Sequence, residues 1–129
     1  MSKIPALFLA GGQDKTASPR TAETLWKTGR SLGAPWTFAV EPDATHGDEK
    51  DVEKANALMI PWITAVVRQR LSPEGATLAV VNDGSAWMGN NRTGEVAPYN
   101  TFTGSKLEAS WLPDEPSARG WRVVLGAVK

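Results

Sequence analysis

The chain has no cysteine, which excludes disulfides, thiolate nucleophiles and cysteine-held zinc. It has a single histidine, His46, so any chemistry that needs an imidazole must use that one side chain. No apolar run approaches the roughly 20 residues a membrane-spanning helix requires, so no membrane segment is expected. Lysine plus arginine and aspartate plus glutamate balance at 14 each, and no basic block interrupts the balance. A chain without a net or local positive field is not expected to bind nucleic acid or an anionic membrane surface. There is no internal repeat and no low-complexity stretch. Met1-Ser2-Lys3 runs straight into a strand-like segment broken by Pro5, which is not the pattern of an export signal. If Met1 is the true start, the expected location is cytoplasmic.

What is present suffices for one domain or a part of one: 129 residues, 41% of them hydrophobic. Ala6 to Ala10 is a continuous apolar run closed by Gly11-Gly12, the pattern of a strand buried on both faces in a parallel sheet. Ser18-Pro19 is a helix start. Ala22, Leu25, Trp26, Gly29 and Leu32 then recur at helical spacing as far as Gly33. Trp36 to Val40 is a second β-rich run, stopped by Glu41-Pro42-Asp43. Strand, helix, strand in this order predicts a right-handed parallel crossover.

A longer helical rhythm runs from Val52 to Leu71, with Pro61 inside it. A proline there removes an amide donor, and two helical pieces meeting near Ile60 are expected. After Leu71 the character changes. Ser72-Pro73-Glu74-Gly75, Asn82-Asp83-Gly84-Ser85 and Gly89-Asn90-Asn91 are turn-rich, and only Asp114-Glu115-Pro116, with Ala118, Trp121, Val124 and Leu125 behind it, predicts a closing helix. The fold class expected is therefore α/β: a core over residues 1–71, with a loop-rich tail over 72–129 that packs on the core rather than forming a domain of its own. Six tryptophans are scattered along the chain as packing residues. Trp87 and Trp111, in the irregular tail, are also candidates for docking on a further part.

The chemistry concentrates at two strand ends. Asp14 follows the first apolar run and His46 follows the second, so parallel neighbours would bring both to one edge of the sheet, where open α/β sheets build their sites. A carboxylate at the Nδ1 side of a histidine holds the useful tautomer and stabilises the imidazolium that forms when the ring takes a proton. Each residue has a plainer reading. Asp14 in a Gly-Gly-x-Asp turn can simply cap the turn or the next helix, and His46 can be a surface residue of the polar loop from Asp43 to Asp51. Asp43, His46, Asp48 and Glu49 also crowd oxygen and nitrogen ligands into that loop, but one histidine with loop carboxylates makes a poor zinc site, and the spacing is not that of a calcium loop. No metal or other cofactor is expected. Asn91-Arg92-Thr93 matches the glycosylation sequon, a pattern short enough to recur by chance.

These residues carry a resemblance. The run Ile4 to Asp14 is similar to the penultimate strand and acid turn of the α/β-hydrolase superfamily, and Ala34 to Val40 with Thr45-His46-Gly47 is similar to its last strand and histidine loop. The resemblance covers about residues 3 to 71. A weaker likeness to the tails of esterase or polyester-depolymerase-like relatives runs through Ser110 to Glu115, and the resemblance as a whole is to the superfamily's serine esterase, dienelactone-hydrolase and polyester-depolymerase-like members. It implies a partial α/β-hydrolase sheet, made of the last parallel strands with their helices, in which Asp14 orients His46 and His46 acts as general base and then acid on a carboxylic ester.

The sequence departs from the superfamily's pattern at the nucleophile. No serine lies in a G-x-S-x-G elbow, and Ser85 and Ser105, the nearest approaches, sit in turns. The resemblance thus implies the acid- and base-bearing C-terminal part of a serine hydrolase, inactive as this chain alone and completed by a nucleophile-bearing half. A non-catalytic scaffold or binding protein built on the same fold is the alternative. Two doubly apolar strands also leave a sheet edge that needs cover, from the missing N-terminal half or from self-association.

Overall fold

A computed structural model describes residues 3–47 and 52–127. Its elements in chain order are strand β1 (Ala6–Gly11), helix α1 (Pro19–Ser31), strand β2 (Trp36–Glu41), helix α2 (Val52–Arg70), strands β3 (Trp87–Gly89), β4 (Val96–Pro98) and β5 (Ser110–Leu112), and helix α3 (Glu115–Val124). The content is mixed α/β: three helices, a two-stranded parallel sheet and a three-stranded antiparallel sheet ordered β4-β3-β5. No helix of the described residues is long and apolar enough to cross a membrane.

β1 and β2 pair in parallel from Ala6 with Trp36 to Gly11 with Glu41. Alternation along the strands sends their side chains to two covered faces. On one face Phe8 meets Trp36 at 5.3 Å between ring centroids, and Phe38 stacks on Trp26 of α1 at 5.6 Å. Gly29 of α1 is glycine for a steric reason, because a Cβ there would lie 2.1 Å from the Trp36 ring. On the other face Leu7, Leu9 and Ala39 join Leu58 and Trp62 of α2, Leu112 of β5, and Ala118, Trp121 and Val124 of α3. Both strands thus have helices on both faces, with β1 only half-buried, and from Ala6 to Ala10 and Trp36 to Val40 they are apolar except at Thr37.

α1 begins where the sequence predicts, with Ser18 as N-cap accepting from the Arg20 amide and Pro19 in the first turn. α3 likewise starts on Asp114, whose carboxylate accepts from the Ser117 amide at 2.9 Å. α2 differs from expectation: it is one helix through Pro61, not two pieces. Proline leaves the carbonyl four residues back without its amide donor. That carbonyl is Ala57, and α3 crosses it at Gly120, so tertiary packing occupies the place where a break was expected.

The tail is more ordered than its turn-rich sequence announces. β3 pairs antiparallel with both β4 and β5. Trp111, 1% exposed, packs with Ala86, Met88 and Ala109, and its indole donates to Asp83 at 3.2 Å. Trp111 is thus an interior residue and not free for docking, while Trp87 is half-buried against the main core.

The outer edge of β2 is closed by tail side chains instead of a strand. Ser110 Oγ accepts from the Phe38 amide at 3.0 Å. The Phe38 carbonyl takes the Trp121 indole at 2.8 Å and the Asn91 amide at 2.7 Å, which leaves the Ser110 proton for Asn91 Oδ1 at 2.8 Å. The sequon asparagine is therefore committed to the interior. Thr37 Oγ1 accepts from the Trp62 indole and donates to the Trp111 carbonyl. Arg30, 3% exposed, ties α1 to the same tail by donating to the carbonyls of Ala109, Ala34 and Lys106. Burial holds its guanidinium below the ordinary value. The opposite edge, that of β1, has no paired strand among the described residues.

Candidate functional site

The loops leaving β1 and β2 run against each other at the C-terminal end of the parallel pair. The Gly12 amide donates to the Glu41 carbonyl at 2.8 Å, and the Gln13 amide to the Ala44 carbonyl at 2.9 Å. The Gln13 side chain adds a longer bond to the Pro42 carbonyl, 3.3 Å. This approach leaves no room for side chains at the two glycines. A Cβ on Gly11 would lie 2.6 Å from the Ala44 oxygen, and one on Gly12 would lie 2.5 Å from the Pro42 oxygen. Gly11-Gly12 is therefore a spacing device that lets the aspartate loop and the histidine loop meet.

Asp14 and His46 meet as a result. Asp14 Oδ2 lies 2.8 Å from His46 Nδ1. The other carboxylate oxygen, Oδ1, accepts from the amides of Thr16 and Ala17, both at 2.8 Å. Asp14 thus caps its turn with one oxygen and contacts His46 with the other. The Ala17 amide first, then the His46 side chain, with smaller help from the Thr16 amide and the His46 charge, hold the Asp14 carboxyl below its ordinary value against a modest opposing effect of desolvation. An ionised carboxylate on Nδ1 selects the tautomer with its proton on that nitrogen and leaves Nε2 as the basic atom.

The two side chains are unequally sheltered, Asp14 at 7% exposed and His46 at 57%. The imidazole stands at the mouth of an open cavity of about 760 Å³ along the unpaired side of β1, lined by Phe8, Leu9, Leu25, Ala44, Thr45 and Val124 among others. Among the described residues Nδ1 to Asp14 is the only hydrogen bond of the ring.

Among the described residues no serine completes the pair. Ser85 is held by Gln69 and the Pro113 carbonyl. Ser105 opens the short 3-10 turn Lys106–Glu108, and neither serine lines the cavity. Ser18 does line it, but its hydroxyl serves as the cap of α1.

No family model, curated protein or solved structure matches this chain.

The metal reading of the histidine loop falls partly outside what can be described, since Asp48 and Glu49 lie outside the described residues. Among the described residues no three histidine or carboxylate side chains converge. One further acidic group at the site was not singled out from the sequence. Glu41, the last residue of β2, is buried and lines the same cavity, 3.7 Å from Lys54 Nζ. Its only sequence signal is an acidic residue closing an apolar strand.

The dyad can take a proton at Nε2 and hold the resulting imidazolium against Asp14. Among the described residues the imidazole makes no hydrogen bond to a hydroxyl.

Proposed function

We propose that this chain is the acid- and base-bearing C-terminal part of a serine hydrolase acting on carboxylic esters, with Asp14 and His46 as two members of its triad and the nucleophile on a complementary half. The observation that carries this reading is the 2.8 Å contact between Asp14 Oδ2 and His46 Nδ1 at the ends of two adjacent parallel strands, with Nε2 directed away from the acid. A partial α/β-hydrolase sheet accounts for both features of the fold that a self-sufficient domain does not need: a two-stranded parallel pair with helices on both faces, and a β1 edge beside the dyad with no paired strand among the described residues.

In this reading a serine hydroxyl delivered along the β1 edge gives its proton to His46 Nε2 as it attacks the ester carbonyl. Asp14 stabilises the imidazolium, and His46 then returns the proton to the leaving alcohol. The donors that stabilise the oxyanion also lie in the complementary half. Alone, the chain offers a base without a nucleophile and should show no triad-type turnover.

Reading the gene upstream of the Met1 codon tests this. The expected result is an open frame encoding strand-helix repeats with a G-x-S-x-G turn. The joined protein then hydrolyses simple p-nitrophenyl esters and loses on the order of 10³-fold or more in kcat when His46 is replaced by alanine. If the joined protein keeps full esterase activity in His46→Ala, the triad assignment fails. A stop codon just upstream, together with binding functions indifferent to substitution of Asp14 and His46, would favour the non-catalytic scaffold.

A further inference from the structure

α2 is apolar on two opposite sides. Leu58, Trp62 and Ala65 face the core, while Ile60, Ile63 and Val67 lie on the opposite face at 63%, 49% and 49% exposed. Their spacing, i, i+3 and i+7, is that of one continuous stripe, extended by Leu71 just past the helix end. Leu78, also exposed, is brought beside Leu71 because the segment after α2 folds back along the helix end through the Leu71–Leu78 bridge and an Arg70 Nε bond to the Ala79 carbonyl. A helix with apolar residues on both faces is one that is covered on both. This face is separate from the cavity at the dyad, to which α2 contributes only Val52 and Ala55.

The charges at the two ends of α2 indicate what covers it. Glu53 is acidic in the first turn, and Arg68 and Arg70 are basic in the last. Glu53 and Arg68 flank the apolar stripe on the same side, so two copies of the helix laid antiparallel bring each glutamate to the other's arginine, while a parallel pairing sets like charges together. The pivot falls between Pro61 and Trp62, where Ile60 of one copy meets Ile63 of the other. One turn further out, Asn56, the polar residue that begins the line of the stripe, meets Val67. We propose that the outer face of α2 docks a second copy of this chain in that antiparallel, two-fold arrangement.

The absence of native cysteine makes the register directly testable. The pairing places the two Ile63 positions ~5 Å apart along the helix axis and the two Val67 positions ~16 Å apart, from the rise per residue. Sedimentation equilibrium is expected to show a dimer of the full chain that Ile63→Asp weakens about tenfold or more. Under mild oxidation Ile63→Cys alone should cross-link. Val67→Cys alone should not, whereas Val67→Cys mixed with Asn56→Cys should. All these positions are at least partly solvent-exposed, so the variants are expected to keep the native fold by circular dichroism. A monomer at all concentrations, a dimer indifferent to Ile63→Asp, as association through the β1 edge would give, or cross-linking of Val67→Cys by itself would each overturn the proposal.

Discussion

Gly120 lies directly over the Ala57 carbonyl: a Cβ on Gly120 would sit 2.0 Å from that oxygen. The contact joins two sequence features that look unrelated, a glycine in α3 and the proline in α2 that strips Ala57 of its helical partner. Gly120→Ala sets two effects against each other. Helix propensity favours alanine by up to ~1 kcal/mol, whereas the clash is with backbone that cannot swing aside. The clash should win, with a net loss of about 1–3 kcal/mol read from urea midpoints at unchanged m-value.

Asp14→Asn keeps the cap and reverses the histidine. The asparagine oxygen can still accept from Thr16 and Ala17, which turns its amide group toward His46 Nδ1. That nitrogen must then accept, so the ring proton moves to Nε2. Nitrogen-15 NMR of the imidazole should show the Nδ1-protonated tautomer in the native chain and the Nε2-protonated one in the variant. Identical spectra would mean that the 2.8 Å contact does not govern the ring.

The same carboxylate has a pH signature of definite sign. Its folded-state value is depressed below the ordinary 3.8, so its contribution to stability is fully present above that value and is lost as pH falls through the lower folded-state value. Glu74 is depressed in the same direction, by local bonds from its own backbone and Ser72. Urea unfolding between about pH 2 and 5 should therefore show an acid-side decline that is shallower, though not abolished, in Asp14→Asn.

Ser110→Ala removes the acceptor of the buried Phe38 amide and the donor to Asn91 Oδ1, leaving the Asn91 side chain its bond to the Phe38 carbonyl. Leaving a buried amide unsatisfied costs about 1–3 kcal/mol. The accompanying change should be faster hydrogen exchange at Phe38, on the β2 edge that the tail otherwise closes.

Arg30→Met tests the other tether of the tail. Three carbonyls, those of Ala34, Lys106 and Ala109, lose their donor together, while methionine roughly fills the space of the arginine stem. A loss of about 2–4 kcal/mol is expected from thermal or urea unfolding. A loss below ~0.5 kcal/mol would show that water replaces the guanidinium without cost.

The parallel strands and the capped helix starts were legible because local rules and tertiary packing agree there. Parallel strands covered on both faces favour apolar and β-branched residues, so Ala6 to Ala10 and Trp36 to Val40 announced themselves. Ser18-Pro19 and Asp114-Glu115-Pro116 supplied their own caps, and the helices start on them. The strands of the tail were illegible for a complementary reason. They are three residues long, too short to display a period, and what orders them is pairing with one another and with the side chains that close β2. The helix through Pro61 was misread because the carbonyl it frees is covered by a residue far along the chain, Gly120.

By itself the sequence determined the parallel strand pair, the helix starts, and the placing of one acid and one histidine after successive strands, since these follow from burial, capping and chain order. Only the tertiary structure decided that Asp14 serves both its turn and His46, one oxygen each, because that requires two loops to touch across Gly11-Gly12. It alone decided that Trp111 is core, that the tail closes the outer edge of β2, and that among the described residues the β1 edge has no paired strand and the outer face of α2 is exposed. Which surfaces remain open is a property of the whole packing, and no local pattern of residues encodes it.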